Sequence, residues 1–202
     1  HDVNAEGANQ TADMLREGGS VATVMVADIR NVAEFGAVLG AAEDEVGAVD
    51  ILVNNAGVGG QGLAIEDIDE VTFDRMFEVH VKGSFFATQA VVPGMKERGY
   101  GKIVNISSNF AMGGAAFASH YAAAKSALSG FTKSWAREFA PYKICVNAVA
   151  PGILETPMTL GSIGKERIDA MIKDIPLGRI AEPIDISYVV AWLAGPETDF
   201  MT

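Results

Sequence analysis

The feature that most constrains this chain is an alternation of short apolar runs with longer stretches of helical period. VATVMV (21–26), DILVNN (50–55), KIVNIS (102–107) and ICVNAVA (144–150) are rich in Val and Ile. Helical patterns run over 5–17 and 31–46, from about 70 onward, and over 119–139, with further helices expected at 164–174 and 183–194. Strands that are apolar throughout and joined by helices predict a parallel sheet covered on both faces. The expected class is α/β, a doubly wound parallel sheet in three α/β/α layers. At 202 residues the chain reads as one domain, 1–202, with room for a substantial core. In such sheets ligands sit at the carboxyl ends of the strands. Asp28, Asn55, Ser108 and Pro151 all fall at such ends, which favours one shared site.

The chemistry-bearing stretch is SNFAMGGAAFASHYAAAK, from Ser108 to Lys125. Apolar residues at 121, 124, 128, 131, 135 and 139 have helical spacing, so Tyr121 and Lys125 share one face, a turn apart. A free tyrosine, with a pKa of about 10, is a poor acid or base at neutral pH. A neighbouring cation favours the phenolate and moves it towards the working range. Ser108 closes a strand-like run, where its hydroxyl can meet the helix start and bind a reacting oxygen.

Composition excludes several other classes. Fifteen basic against twenty-six acidic residues give a net charge of −11, which argues against a nucleic-acid partner. The lone cysteine, Cys145, lies in a buried-strand pattern and forms no internal disulfide, as in a reducing compartment. No apolar run reaches the roughly 20 residues that span a bilayer, and no signal-peptide pattern opens the sequence. The expected location is the cytoplasm, so the sequons at Asn9 and Asn105 are accidental. Three histidines and one cysteine make no metal cluster. No G-x-S-x-G elbow supports a serine hydrolase. Gly57-Val58-Gly59-Gly60-Gln61-Gly62 matches GxGxxG by letter, but a phosphate loop must open directly into a helix. LAIEDIDE follows instead, with four carboxylates, so a mobile loop beside the site is expected.

Together these residues resemble the short-chain dehydrogenase/reductase family. The resemblance rests on Asn54-Asn55-Ala56-Gly57, Ser108 with Tyr121 thirteen residues on, the YxxxK pair, and Pro151-Gly152 with Thr156. It implies a Rossmann-like fold and hydride exchange between a nicotinamide cofactor and a secondary alcohol or ketone. Tyr121 would be the general acid/base and Ser108 would bind the substrate oxygen. Lys125 would grip the nicotinamide ribose. Asp28 and Ile29 resemble the adenine contacts, and Asn55, Ala56 and Gly57 the ribose-lining run. Pro151, Gly152, Ile153 and Thr156 resemble the turn that orients the nicotinamide amide. The segment after Thr156 resembles the mobile lid. Asp2 resembles the acid that pairs with the ribose 2′-hydroxyl, which favours NAD over NADP. The resemblance also implies a homodimer or homotetramer through helices 70–95 and 119–139. Phe131, Trp135 and Gly130 stand either inside the subunit or at that interface.

Two departures qualify the match. Where the family has asparagine in N-x-K-G, this chain has His80-Val81-Lys82-Gly83. His80 shares a helical face with Phe73, Phe77 and Ser84, so it is either a core histidine or the holder of a proton-relaying water at Lys125. His120 reads as a rim or substrate contact. The family's first strand, its TGxxxGxG loop and most of its second strand would precede Asp2, and a last strand would follow Thr202. The expectation is an incomplete domain, truncated at both ends, that binds dinucleotide poorly. Residues 21–26 would then lack neighbours, or pair directly with 50–55. A β-ketoacyl-carrier-protein reductase is the alternative within the class, and a non-catalytic scaffold the alternative outside it.

Overall fold

The computed structural model describes residues 1–60, 62–163 and 165–202. The chain opens with helices α1 (Ala5–Glu17) and α2 (Val32–Val46), each begun by an asparagine. The Asn4 side-chain Oδ1 accepts from the Glu6 and Gly7 N–H groups, and the Asn31 Oδ1 from that of Glu34, supplying acceptors that a first turn lacks. Strand β1 (Ile51–Asn54) follows, and after it α3 (Glu70–Phe77), a π-helical turn over Glu78–Gly83, and α4 (Ser84–Arg98). Then come β2 (Gly101–Ile106), a short α5 (Phe110–Gly113), the 21-residue α6 (Ser119–Phe139) and β3 (Ile144–Val149). Helices α7 (Pro157–Ile163), α8 (Lys165–Ile172) and α9 (Pro183–Ala194) complete the order. Gln61 in the glycine-rich run and Gly164 at the start of the expected 164–174 helix lie outside the described residues.

The strands are parallel in the order β1-β2-β3, with Ile51 opposite Lys102 and Ile103 opposite Val146. This is the Rossmann-like α/β architecture expected. On one face Ile103, Ile144 and Val146 pack with Val91, Val92 and Met95 of α4 and with Trp135 and Phe139 of α6. On the other, Val104 and Val149 meet Leu193 of α9. Each such side chain contributes roughly 1.5–3 kcal/mol by leaving water. A buried polar string crosses the sheet: Asn54 Nδ2 donates to Asn105 Oδ1 (2.8 Å) and Thr88 Oγ1 (3.1 Å), and Asn105 Nδ2 to Thr132 Oγ1 (2.8 Å). Asn105 is 0% exposed, so its sequon is sealed in the sheet.

One expected element is corrected. Residues 21–26 are not a buried strand: Val21 is 86% exposed, and the only pairing there is a single bridge from Val26 to Asp2. β-branched composition suits a strand only when a ladder partner satisfies its backbone. Among the described residues only Asp2 does so. Nor does this segment pair with β1, whose Ile51 and Val53 remain exposed, so the covering of both faces holds for β2 and β3 but not for β1.

Candidate active site

Helix α6 begins at Ser119 and sets Tyr121 and Lys125 one turn apart, with the Lys125 Nζ 5.8 Å from the Tyr121 ring centroid. Lys125 is 5% exposed and donates to the Ile106 carbonyl at the end of β2 (2.8 Å). Burial disfavours its charged form and brings its pKa down from 10.5 to about 8. Ser107 Oγ bonds the Lys125 carbonyl (2.9 Å) and Ser129 (3.1 Å), locking the helix to the strand end. Ser108 is buried beside them. Its Oγ accepts from the Phe110 N–H (3.2 Å) and donates to Asn109 Oδ1 (3.3 Å).

These side chains line one cleft of about 860 Å³ with Asn55, Ala56, Gly57, Pro151, Gly152, Ile153 and Thr156. The Asn109 N–H donates to the Pro151 carbonyl (2.9 Å), and the Ala181 N–H to that of Ile153 (3.0 Å), which holds the 151–156 turn open over the strand ends. Thr156 Oγ1 accepts from the Thr159 N–H (3.2 Å) at the start of α7. A second cleft of about 520 Å³ holds Asp28 and Ile29, and both clefts include Asp2, Val53, Asn55, Ala56 and Gly57. The expected site residues therefore gather along one continuous channel, from Asp28 to Tyr121.

Some placements differ from expectation. The Asp28 carboxylate is held by the Arg30 guanidinium through both oxygens (2.6 and 3.1 Å), which keeps it well below the usual carboxylate range. Arg30, a residue the sequence did not single out, lines the same cleft. His120 is not on the rim: it is buried against Met76 and Gly60, and neither ring nitrogen has a partner among the described residues. His80 points inward as expected, but Phe73 on the same face is 44% exposed and stacks on Phe77. The glycine-rich run opens into no helix, only a 3₁₀ turn at Ile65–Asp67, and the Gly62 and Leu63 N–H groups are pinned to the Phe117 carbonyl (2.7 and 3.0 Å). Phe110, Met158 and the α9 residues Ile186 and Val190 also line the cleft. Phe110 sits edge-on to Tyr121, a contact whose only sequence signal was its place two residues after Ser108.

The fold and this arrangement define a nucleotide-dependent oxidoreductase of the doubly wound class. A family model described as enoyl-(acyl carrier protein) reductase matches residues 1–202. The 3-oxoacyl-(acyl-carrier-protein) reductase FabG of Vibrio cholerae serotype O1 is 39% identical over 200 residues, covering 99% of this chain and 80% of that protein. The 3-ketoacyl-(acyl-carrier-protein) reductase of Brucella melitensis complexed with NADH superposes with a TM-score of 0.92 at 34% identity, over 100% of this chain and 81% of the other. The gluconate 5-dehydrogenase of Burkholderia cenocepacia with NADP and tartrate does so at 0.91 and 32%, over 98% and 78%. The chain belongs to the short-chain dehydrogenase/reductase family. Its chemistry is nicotinamide-dependent interconversion of a CH–OH group and a ketone, with NAD or NADP as cofactor. No helix among the described residues is long and apolar enough to cross a membrane.

Proposed function

We propose that residues 1–202 act as one dinucleotide-binding and catalytic domain, in which Tyr121 moves the proton at the substrate oxygen. The observation that carries this reading is the convergence of Tyr121, Lys125 and Ser108 on one cleft. A bound nicotinamide supplies or accepts the hydride at the carbon. That exchange makes or unmakes an alkoxide, so a proton must move at the same oxygen. Tyr121 gives it in reduction and takes it in oxidation. The Ser108 hydroxyl exchanges its Asn109 acceptor for that oxygen and holds it in place. Among the described residues the Lys125 ammonium donates to Ile106, and it keeps donors for the ribose hydroxyls.

The donor set fits the adenine, ribose and nicotinamide parts of a dinucleotide. Asn55, Ala56 and Gly57 border both clefts, and Pro151, Gly152, Ile153 and Thr156 flank the nicotinamide end. Asp28 and Ile29 stand at the adenine end, and Asp2 lies between. The Asp2 carboxylate accepts from the Asn4 N–H (2.8 Å) and has room for a ribose 2′-hydroxyl, while repelling a 2′-phosphate. This supports NAD over NADP. The substrate is a small secondary alcohol or ketone, admitted beside Phe110, Met158 and Val190. We also infer a cytoplasmic homodimer or homotetramer. The free cysteine is buried, and a side chain at Gly130 would meet nothing within 4 Å, leaving that face of α6 open to a second copy.

A second reading, a β-ketoacyl-carrier-protein reductase, is favoured by the FabG relative. A net charge of −11 weighs against an acidic carrier. Turnover of an alcohol and ketone panel, with both cofactors and a β-ketoacyl thioester, tests the two. Preferred oxidation of a free alcohol with NAD supports the first. Absence of any cofactor-dependent turnover overturns both.

A further inference from the structure

Among the described residues, His80 joins the 78–83 turn to the backbone wall of the channel, through a hydrogen bond to Val58. The π-helical turn adds a residue to the helix at this point and directs the ring inward, where it is 1% exposed. The Val58 N–H donates to Nε2 (3.1 Å), and the same nitrogen lies 3.0 Å from the Val58 carbonyl. A Cβ on Gly57 would stand 2.6 Å from the ring's Cε1, so wall and ring meet only because residue 57 has no side chain. On its other side the ring lies edge-on to Tyr121, centroids 5.6 Å apart at 89°. Nδ1 is buried and has no hydrogen-bond partner among the described residues. Burying an unsatisfied polar atom costs stability, so the fold keeps this ring against a penalty.

We propose that His80 is a positioning residue, a neutral clamp that holds the Gly57–Val58 wall of the cofactor channel against the Tyr121 ring. The clamp rests on the oxidoreductase reading for its purpose but not for its existence. Only the neutral ring holds the Val58 N–H, because protonation turns Nε2 into a donor that gives up that N–H and turns to the Val58 carbonyl instead. The ionisable groups facing the ring are Lys125 and Tyr121, both on α6; the 57–58 segment brings none. Burial, and then the Lys125 ammonium, lower the imidazole pKa to about 4, so the clamp stays closed at neutral pH.

The test uses the intact protein with His80→Phe and His80→Gln. Phenylalanine keeps the ring against Tyr121 and loses the bond to Val58. Glutamine places an amide near the position of Nε2 and restores it. In His80→Phe the Val58 amide should exchange about tenfold faster, and the cofactor KM should rise by a similar factor with kcat little changed. His80→Gln should recover both values. In the unsubstituted protein the imidazole resonances should titrate only below about pH 5, with Val58 protection falling in step. Unchanged Val58 exchange in His80→Phe, or a ring that titrates above about pH 6, overturns the proposal. Should His80→Phe not fold, the coupled titration of the unsubstituted protein decides alone. A protected Val58 and a neutral ring in a protein without turnover would support the clamp and remove the oxidoreductase reading.

Discussion

The two ends of the channel are built to different standards. At the Tyr121 end, β2 and β3 are paired along six residues each, buried on both faces and stitched to α6 through Ser107, Lys125 and Asn105. At the Asp28 end, residues 21–26 touch the rest of the backbone ladder through one bridge, Asp2 to Val26, and Asp28 is fixed by its neighbour Arg30 rather than by the sheet. The chemical groups thus stand on a rigid frame, while the adenine-side groups stand on chain with few long-range bonds. Hydride and proton transfer tolerate little misplacement. Holding an adenine tolerates more.

The sharpest way to break that contrast is amide exchange. Local opening energies range from near zero in poorly tied segments to the global stability in core strands. The Ile103 and Val146 amides should therefore exchange at least about 10³-fold more slowly than Val24 and Met25. Comparable rates would show the two ends to be one cooperative unit.

A smaller effect is expected at Lys125. The fall in its pKa from 10.5 to about 8 means that the buried ammonium costs on the order of 3 kcal/mol at neutral pH. Between about pH 8 and 10.5 the unfolded chain holds the proton that the folded one has lost, so this group makes stability rise with pH across that window. Lys125→Met should unfold at a higher denaturant concentration than the unsubstituted protein at pH 7, with turnover largely lost and the alkaline rise abolished. Lower stability would show that the Ile106 bond outweighs the burial cost.

His80 gives the matching effect in acid. Its ring binds protons below about pH 4 when folded and near 6.5 when unfolded, so stability should fall as pH drops from 6.5 to 4. His80→Phe should flatten that part of the curve in denaturant titrations.

The smallest effect is expected at the loosely tied end. Asp2→Asn removes one charge facing the 2′ position, and should shift the NAD to NADP preference by about tenfold in kcat/KM. An unchanged ratio would move cofactor choice to Arg30 and its neighbours.

The same contrast governs what was legible in the sequence. Strands 102–107 and 144–150 and helix 119–139 could be read because apolar pattern and burial coincide there, and the YxxxK spacing fell on a helix that exists. VATVMV carries the same composition, but a strand is a property of pairs, and its exposed valines record the want of a partner. His120 was misplaced because spacing gives direction around α6, not what Gly60 and Met76 lay over it. Arg30 went unseen because nothing in a one-dimensional reading distinguishes a guanidinium that pins Asp28 from a solvated one. His80 was placed inward by period, yet its bond to Val58 depends on a π-helical turn that no period announces.

The most direct test of the account is Tyr121→Phe, assayed with the alcohol or ketone turned over best and with cofactor binding followed separately by NADH fluorescence. Loss of the phenol proton should lower kcat by about 10²–10⁴-fold while the dissociation constant for NADH stays within about twofold. Turnover within about threefold of the unsubstituted protein, with binding intact, would contradict the assignment of Tyr121 as the acid and base of this site.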